Sequence, residues 1–405
     1  MMVRQAHMPN GWEYKKLGDA MHIARGGSPR PIKQYLTDDP NGLNWIKIGD
    51  ATESNKYIYK TKEKITKDGL HKTRFVEEGD FLLSNSMSFG RPYIMKTTGC
   101  IHDGWLVLKE IEDIDLDKDF LYHLLCSPYL FEQFDKLAAG STVRNLNIAL
   151  VSSVEIPIPP LAEQKRIVAK LDECFEAIHI ARANVEKNLN NAKELFQSQL
   201  NQIFSQLALS EAEGKGYGWV EKKLGEVCEI SMGQSPKGTS YNQNGEGVPL
   251  INGPVEFGKN PFSKTVKSKF TTEPTKMCKE GDLILCVRGS TTGRINIAGF
   301  EACIGRGVAS IRYSENQIWL NYYIRAKRNE IYNLGTGSTF PNVSSKILSN
   351  LSFPIPPFKI QAKLVKLIDK LSSQTQSLES NYRQELNALD ELKKSILQKA
   401  FMGEL

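Results

Sequence analysis

Cysteine is scarce and unpatterned: seven residues (Cys100, Cys126, Cys174, Cys228, Cys278, Cys286 and Cys303) in 405, an odd number with no Cys-x-x-Cys. That excludes a disulfide framework and a zinc site of ordinary spacing. Buried free thiols in a reducing compartment are expected instead. The six histidines (His7, His22, His71, His102, His123, His179) show no metal-ligand spacing. No apolar run approaches the ~18 residues of a membrane-spanning helix. Residues 1–10 hold no signal-peptide-like apolar run, so the expected setting is cytoplasmic, with no membrane partner. Nucleotide chemistry is missing too, because no Gly-x-x-x-x-Gly-Lys-Ser/Thr phosphate loop occurs. The Asn/Asp-Pro-Pro-Tyr/Phe motif of amino-methyltransferases is also missing, since Ile158-Pro159-Pro160 and Ile355-Pro356-Pro357 lack the amide or acid. Glu13-Tyr14-Lys15 has the form of a nuclease triplet, a form that arises readily by chance. No catalytic residue, metal or cofactor is therefore assigned. Neither charge sign dominates. A net +6 suits local basic patches better than a surface that coats nucleic acid indiscriminately.

What the chain does contain, it contains twice. Gly11-Trp12-Glu13-Tyr14-Lys15-Lys16-Leu17-Gly18-Asp19 returns 207 residues later as Gly218-Trp219-Val220-Glu221-Lys222-Lys223-Leu224-Gly225-Glu226. The same displacement carries Gly26-Gly27-Ser28-Pro29 onto Gly233-Gln234-Ser235-Pro236, and Glu78-Gly79-Asp80 recurs as Glu280-Gly281-Asp282. A third block, displaced by 197, takes Gly140-Ser141-Thr142 to Gly337-Ser338-Thr339 and Pro157-Ile158-Pro159-Pro160 to Pro354-Ile355-Pro356-Pro357. It also takes Gln164 to Gln361, Asp172 to Asp369 and Phe204 to Phe401. Several blocks in one order mark a tandem duplication. Each copy reads as a globular segment followed by a long helix.

The paired prolines suit a helix's first turn. Apolar residues then recur at three and four: Ile167, Leu171, Cys174, Phe175, Ile178, Val185, Leu189, Ala192, Leu195, Leu200 and Phe204 in the first copy. In the second they are Leu364, Leu367, Leu371, Leu378, Tyr382, Leu386, Leu389, Leu392 and Ile396. Helices of about 45 residues are ~65 Å long, and one apolar stripe on so long a helix needs a partner stripe. The repeat is the obvious partner. Connectivity then makes the pair antiparallel. Asn184, Asn188, Asn190 and Asn191 are poor helix formers and mark a candidate break.

The globular segments show short β-like runs such as Asn44-Trp45-Ile46-Lys47-Ile48, Asp80-Phe81-Leu82-Leu83 and Asp282-Leu283-Ile284-Leu285-Cys286-Val287, with one helix each near residues 119–137 and 317–334. The fold class is α+β with a pseudo-two-fold internal repeat. Three pairs of polar loops carry DNA-binding chemistry. The opening loops offer Arg25, Ser28 and Arg30, matched by Ser235 and Lys237. The loops after the central strands offer Ser84, Asn85, Ser86 and Arg91, matched by Arg288, Ser290, Thr291, Thr292 and Arg294. The third pair offers Ser141 and Arg144, matched by Ser338. Arginine pairs with a guanine edge and asparagine with adenine, while hydroxyls and backbone amides suit phosphate. Loops of this composition also serve as ordinary turns.

The Pro-Ile-Pro-Pro block leading into Leu161-Ala162-Glu163-Gln164-Lys165-Arg166-Ile167-Val168-Ala169-Lys170-Leu171-Asp172 resembles the central conserved region of type I restriction–modification specificity subunits. Ser395-Ile396-Leu397-Gln398-Lys399-Ala400-Phe401-Met402-Gly403-Glu404-Leu405 resembles their C-terminal region, and the Gly-Trp-x-x-x-Lys-Leu-Gly openings resemble the starts of their target-recognition domains. Pro357-Phe358-Lys359-Ile360-Gln361 departs from the usual Leu-x-Glu-Gln pattern. The resemblance implies target-recognition domains at 1–155 and 211–353, with conserved helices at 156–210 and 354–405. It implies a non-catalytic subunit that reads a split, asymmetric site in double-stranded DNA. It further implies two methyltransferase subunits as partners, which would supply S-adenosylmethionine, and restriction subunits that join them. A DNA-independent coiled-coil adaptor and a single-chain enzyme are the competing readings.

Overall fold

The computed structural model describes residues 9–51, 54–85, 90–111, 114–138, 145–212, 219–337 and 340–405. The chain divides into two units, Met1–Glu186 with Gln384–Leu405, and Lys187–Arg383. Each unit therefore holds one globular domain, half of the first long helix and half of the second.

The two domains repeat one topology. In the first unit, strands run in the order Met21–Arg25, Trp105–Glu110, Phe81–Ser84, Pro92–Met95, Tyr57–Ile58. A second five-stranded sheet runs Leu36–Thr37, Glu63–Ile65, Leu43–Ile46, Gly99–Ile101, Arg74–Val76. The second unit matches the first sheet with Glu229–Met232, Val308–Arg312, Leu283–Cys286, Ile295–Ile297. It matches the other with Tyr241–Asn242, Phe270–Thr271, Val248–Ile251, Ala302–Ile304, Met277–Cys278. The central strands Phe81–Ser84 and Leu283–Cys286 are buried on both faces, as their unbroken apolar runs require.

The repeated opening motif closes each domain. Glu13–Lys16 pairs antiparallel with Glu155–Ile158, and Val220–Lys223 with Ser352–Ile355. The Leu-Gly step that follows needs glycine, because a Cβ on Gly18 or Gly225 would lie 2.6 Å from the Cβ of Ser152 or Ser349. The single helix expected late in each domain is instead two. Lys118–Leu125 stops before Ser127-Pro128 and Pro128–Ala138 follows. Gln317–Ala326 and Arg328–Leu334 are parted at Lys327. Ser127 Oγ donates to the Leu124 carbonyl and accepts from Leu130 N–H, turning the chain where the proline cannot donate.

The long helices are Leu161–Ala212 and Phe358–Met402, of 52 and 45 residues. The Pro160 and Pro357 carbonyls accept the first helical N–H bonds, from Gln164 at 3.0 Å and Gln361 at 3.1 Å. The asparagine-rich stretch causes no break, and Leu189 and Ala192 within it are buried. In the first unit the start of the first helix meets the end of the second. Arg166 donates to the Leu405 carbonyl at 2.8 Å, and Arg182 pairs with Asp390 at 2.5 Å. In the second unit the late residues Phe196, Leu200 and Phe204 share a core with the early residues Val365 and Ile368. Early meets late in both units, which is antiparallel pairing.

Each long helix ends against a domain. Phe401 packs edge-on against Phe120, ring centroids 5.3 Å apart, and Phe204 packs on Trp319 at 4.7 Å. The glutamine repeated at Gln164 and Gln361 ties each domain to the helix that leaves it. Buried Gln164 donates to the carbonyls of Asp115 and Pro159 and accepts from Asp117 N–H. Buried Gln361 donates to the Pro356 carbonyl and accepts from Asn316 Nδ2. Asp117 and Asn316 are themselves the N-caps of the equivalent helices. About two turns further along each long helix, His123 Nε2 lies 3.3 Å from Asp172, and Tyr322 donates to Asp369 at 2.5 Å.

Five of the seven cysteines (Cys100, Cys228, Cys278, Cys286, Cys303) are buried and all seven are free. Burial pushes the Cys100 thiol up to about 11. Among the described residues, no helix is long and apolar enough to cross a membrane.

Candidate nucleic-acid interface

The opening loop and the end of the central strand flank one turn in each domain: residues 102–104 in the first, 305–307 in the second. Gly26 N–H donates to the Trp105 carbonyl at 2.9 Å, and Gly233 N–H to that of Val308 at 2.9 Å. A Cβ on either glycine would sit 2.2 Å from the carbonyl oxygen of His102 or Gly305, so only glycine lets the opening loop lie against the turn. On the other side, Asn85 N–H donates to the Gly104 carbonyl at 3.0 Å, and Val287 N–H to Gly307 at 2.9 Å. Leu146 N–H donates to the Asn85 carbonyl (2.9 Å), and the equivalent Val343 N–H to that of Val287 (2.9 Å).

At the apex of the turn stands Asp103 in the first domain and Arg306 in the second. The repeated Cys-Ile-x-x-Gly of Cys100-Ile101-His102-Asp103-Gly104 and Cys303-Ile304-Gly305-Arg306-Gly307 carries both residues. That pair of segments, displaced by 203, was the signal that could have found them. Neither residue belongs to the loops singled out from composition.

Asp103 gathers four of the sequence-predicted residues. Ser28 Oγ donates to its carboxylate at 2.9 Å, and the Arg30 guanidinium lies 3.6 Å away. Arg25 Nε donates to its carbonyl at 3.2 Å and Asn85 Nδ2 to the same oxygen at 2.8 Å. His102 Nε2 lies 2.9 Å from the carboxylate, while His102 Nδ1 accepts from Gly104 N–H at 2.9 Å. Arg25 and Arg30 are exposed. A groove of about 820 Å³ opens beside them, lined by Ser28, Arg30, Ile32, Trp45, Lys47 and His102.

The hairpin after the central strand is built alike in both domains. Ser84 and Arg91 close it in the first through Ser84 N–H to Arg91 O (3.1 Å). Cys286 and Arg294 close it in the second through Cys286 N–H to Arg294 O (2.8 Å). Gly90 and Gly293, at φ +79° and +84°, precede the arginines. Arg91 is exposed, donates to Asn55 at 3.1 Å and stacks over Tyr93 at 5.4 Å. Arg288, Ser290 and Arg294 are exposed, as is Lys237, and Thr291 is half-buried.

Three expected DNA contacts need correction. Ser84, Asn85 and Thr292 are buried. Ser84 Oγ accepts from Arg91 N–H, Asn85 holds Asp103, and Thr292 Oγ1 donates to the Gly289 carbonyl and lies 3.1 Å from that of Pro341. Their polar atoms are used inside the domain, holding the loops rather than presenting them. Ser235 does both, being half-buried with its Oγ accepting from Arg306 N–H at 3.2 Å. Ser86, Ser141, Arg144 and Ser338 lie outside the described residues.

Two domains of one design, each with exposed cationic side chains at the central turn and the neighbouring hairpin, make a tandemly duplicated two-domain protein. The family model for the type I restriction modification DNA specificity domain matches residues 9–191 and again 217–388, and the chain belongs to that family. It is 29% identical to the putative type I restriction enzyme MjaX specificity subunit of Methanocaldococcus jannaschii, over 98% of this chain and 94% of that one. It is 26% identical to the StySPI specificity subunit of Salmonella potsdam, over 72% of this chain and 66% of that one. Among solved structures it is similar to the HsdS subunit from Thermoanaerobacter tengcongensis, with a TM-score of 0.57, 26% identity and full coverage of both chains. A chain from a study of complex assembly and conformational transition of the type I R-M system gives a TM-score of 0.72 at 26% identity, over 98% of this chain and all of that one.

Proposed function

We propose that this chain reads a bipartite, asymmetric target in double-stranded DNA and holds partner subunits on it without catalysing a reaction. The observation that carries this reading is the exchange of Asp103 for Arg306 at one turn of an otherwise repeated framework. A carboxylate accepts from the cytosine amine, whereas a guanidinium pairs with guanine. Two equal copies of one reader would demand a symmetric site; opposite charges at the same position favour different half-sites.

Arg25, Ser28, Arg30 and Arg91 serve the first half-site in this reading. Ser235, Lys237, Arg288, Ser290, Thr291 and Arg294 serve the second. The antiparallel helices act as the spacer. Their exposed apolar residues, among them Ile180, Leu195, Leu367, Leu378 and Leu392, support two similar docking faces for two methyltransferase subunits. Those subunits would bind S-adenosylmethionine, flip the target base and methylate it. Restriction subunits would join for cleavage. All of this would take place in the cytoplasm.

Single-molecule methylation sequencing of cells that express this chain with a cognate methyltransferase subunit tests the proposal. A split motif with an unread gap, lost when this chain is omitted, is the expected result. Methylation that continues without the chain would overturn it, and so would a chain that leaves no mark with any such partner.

A further inference from the structure

In the second unit, beside the hairpin that carries Arg294, lies a cavity of about 260 Å³ whose walls include Lys259, Arg294, Arg325 and Arg328, with Asn260 and Gln197 between them. Among the described residues, no carboxylate comes within ion-pair distance of any of the four cations. Glu379, the acid whose charge acts on Arg325, is 3.9 Å from Arg383. Arg325 is not a loose surface side chain. Its guanidinium stacks over Phe196 at 4.3 Å and over Phe262 at 5.3 Å, which fixes its plane. Burial pulls its pKa below the ordinary arginine range, and the like charge of Arg328 works in the same direction.

Gathering four cations around one small cavity is unfavourable unless an anion fills it. We propose that this cavity is a phosphodiester site, and that it takes a backbone phosphate of the duplex next to the half-site read by the second domain. The assignment rests on the DNA-reading function proposed above. A delocalised, stacked guanidinium flanked by further arginines and by amide donors matches the geometry of a phosphate group. The stacked guanidinium belongs to the second repeat, because Cys126 stands where the equivalent helix of that repeat has Arg325. The site is therefore an asymmetric anchor: it strengthens binding at one half of the target without reading bases.

The test uses the full chain and the double variant K259Q/R328Q, which leaves the stacked Arg325 in place so that folding is retained. An R325Q variant serves as a second check where its circular dichroism matches the wild type. In one arm, inorganic phosphate replaces chloride at equal ionic strength. The wild-type melting midpoint should rise and that of K259Q/R328Q should not. No protection of the wild type overturns the site. In the other arm, duplex binding is titrated with salt in the presence of the methyltransferase partner. The slope of log K against log salt should fall by about one in the variant, with the methylated motif unchanged. A wild-type slope in the folded variant overturns the duplex as the source of the phosphate, and a changed motif shows base reading instead. If the wild type binds no duplex while phosphate still protects it, the DNA-reading function fails. The cavity is then a site for free phosphate, and the duplex assignment is overturned with it.

Discussion

Asp103 and Arg306 occupy the same turn of two folded repeats. Each backbone N–H faces the Oγ of the matching serine, Ser28 at 3.4 Å and Ser235 at 3.2 Å. The backbone is reproduced while the side-chain charge is reversed. Asp103 is tied to Ser28, Arg30 and His102, whereas Arg306 is exposed and has no carboxylate within 4 Å among the described residues.

Substituting these residues should therefore act on one half-site at a time. Arg306→Ala should relax the second half of the methylated motif at one or two positions, a loss of ~1–3 kcal/mol in discrimination. Asp103→Ala should alter only the first half. It also frees Arg30 and His102 from the carboxylate, while Arg25 keeps its bond to the backbone carbonyl, so a broader motif there is expected rather than a new one. Methylation sequencing reads both, and an equal loss in both halves would mean that the turn supports folding rather than reading.

The spacer makes a geometric prediction. Four residues inserted into both long helices, about one turn each, add ~5–6 Å. The gap in the methylated motif should grow by one or two base pairs at ~3.4 Å each. An unchanged gap in a folded, active insertion variant contradicts the ruler.

Gln164 should matter more than its polarity suggests. Gln164→Leu removes two donated bonds and one accepted bond while leaving the Asp115, Pro159 and Asp117 backbone groups beside a buried apolar side chain. A loss of about 2–4 kcal/mol in urea unfolding is expected. Glu163→Gln, at a half-buried position of the same turn where the side chain pairs with the exposed Arg166, should cost well under half of that.

His123 gives the first unit a pH dependence. It faces Asp172 on the long helix and Lys56 and Asp119 in the domain; burial outweighs the acids and lowers its pKa below the usual 6.5. The unfolded chain then takes up a proton before the folded one does. Stability should fall as pH drops below ~6.5, until the folded-state pKa is passed. His123→Tyr, copying Tyr322 of the other repeat, should remove that part of the decline between pH 7 and pH 5. Urea midpoints at the two pH values measure it, and an undiminished decline would assign the effect to other groups.

The duplication, both long helices and their antiparallel sense were legible in the chain, because each rests on local or repeated patterns: paired prolines, a spacing of three and four, and connectivity. The asparagines at 184–191 misled as a candidate break, since burial of Leu189 and Ala192 outweighs weak propensity. The helices near 119–137 and 317–334 were legible as helical but not read as split, although Pro128 carries the signal in the first, where the Ser127 hydroxyl completes the turn by bonding to the backbone.

Sequence alone determined that this protein is one unit written twice, and which loops differ between the copies. That follows because repetition and periodicity are properties of the chain itself. Tertiary structure alone decided which loop residues face outward. Ser84, Asn85 and Thr292 share the polarity of their neighbours, yet buried backbone groups claim their hydrogen bonds. It also brought Arg25, Ser28, Arg30 and Asn85 onto Asp103 from segments up to 78 residues away, a convergence that no local pattern encodes.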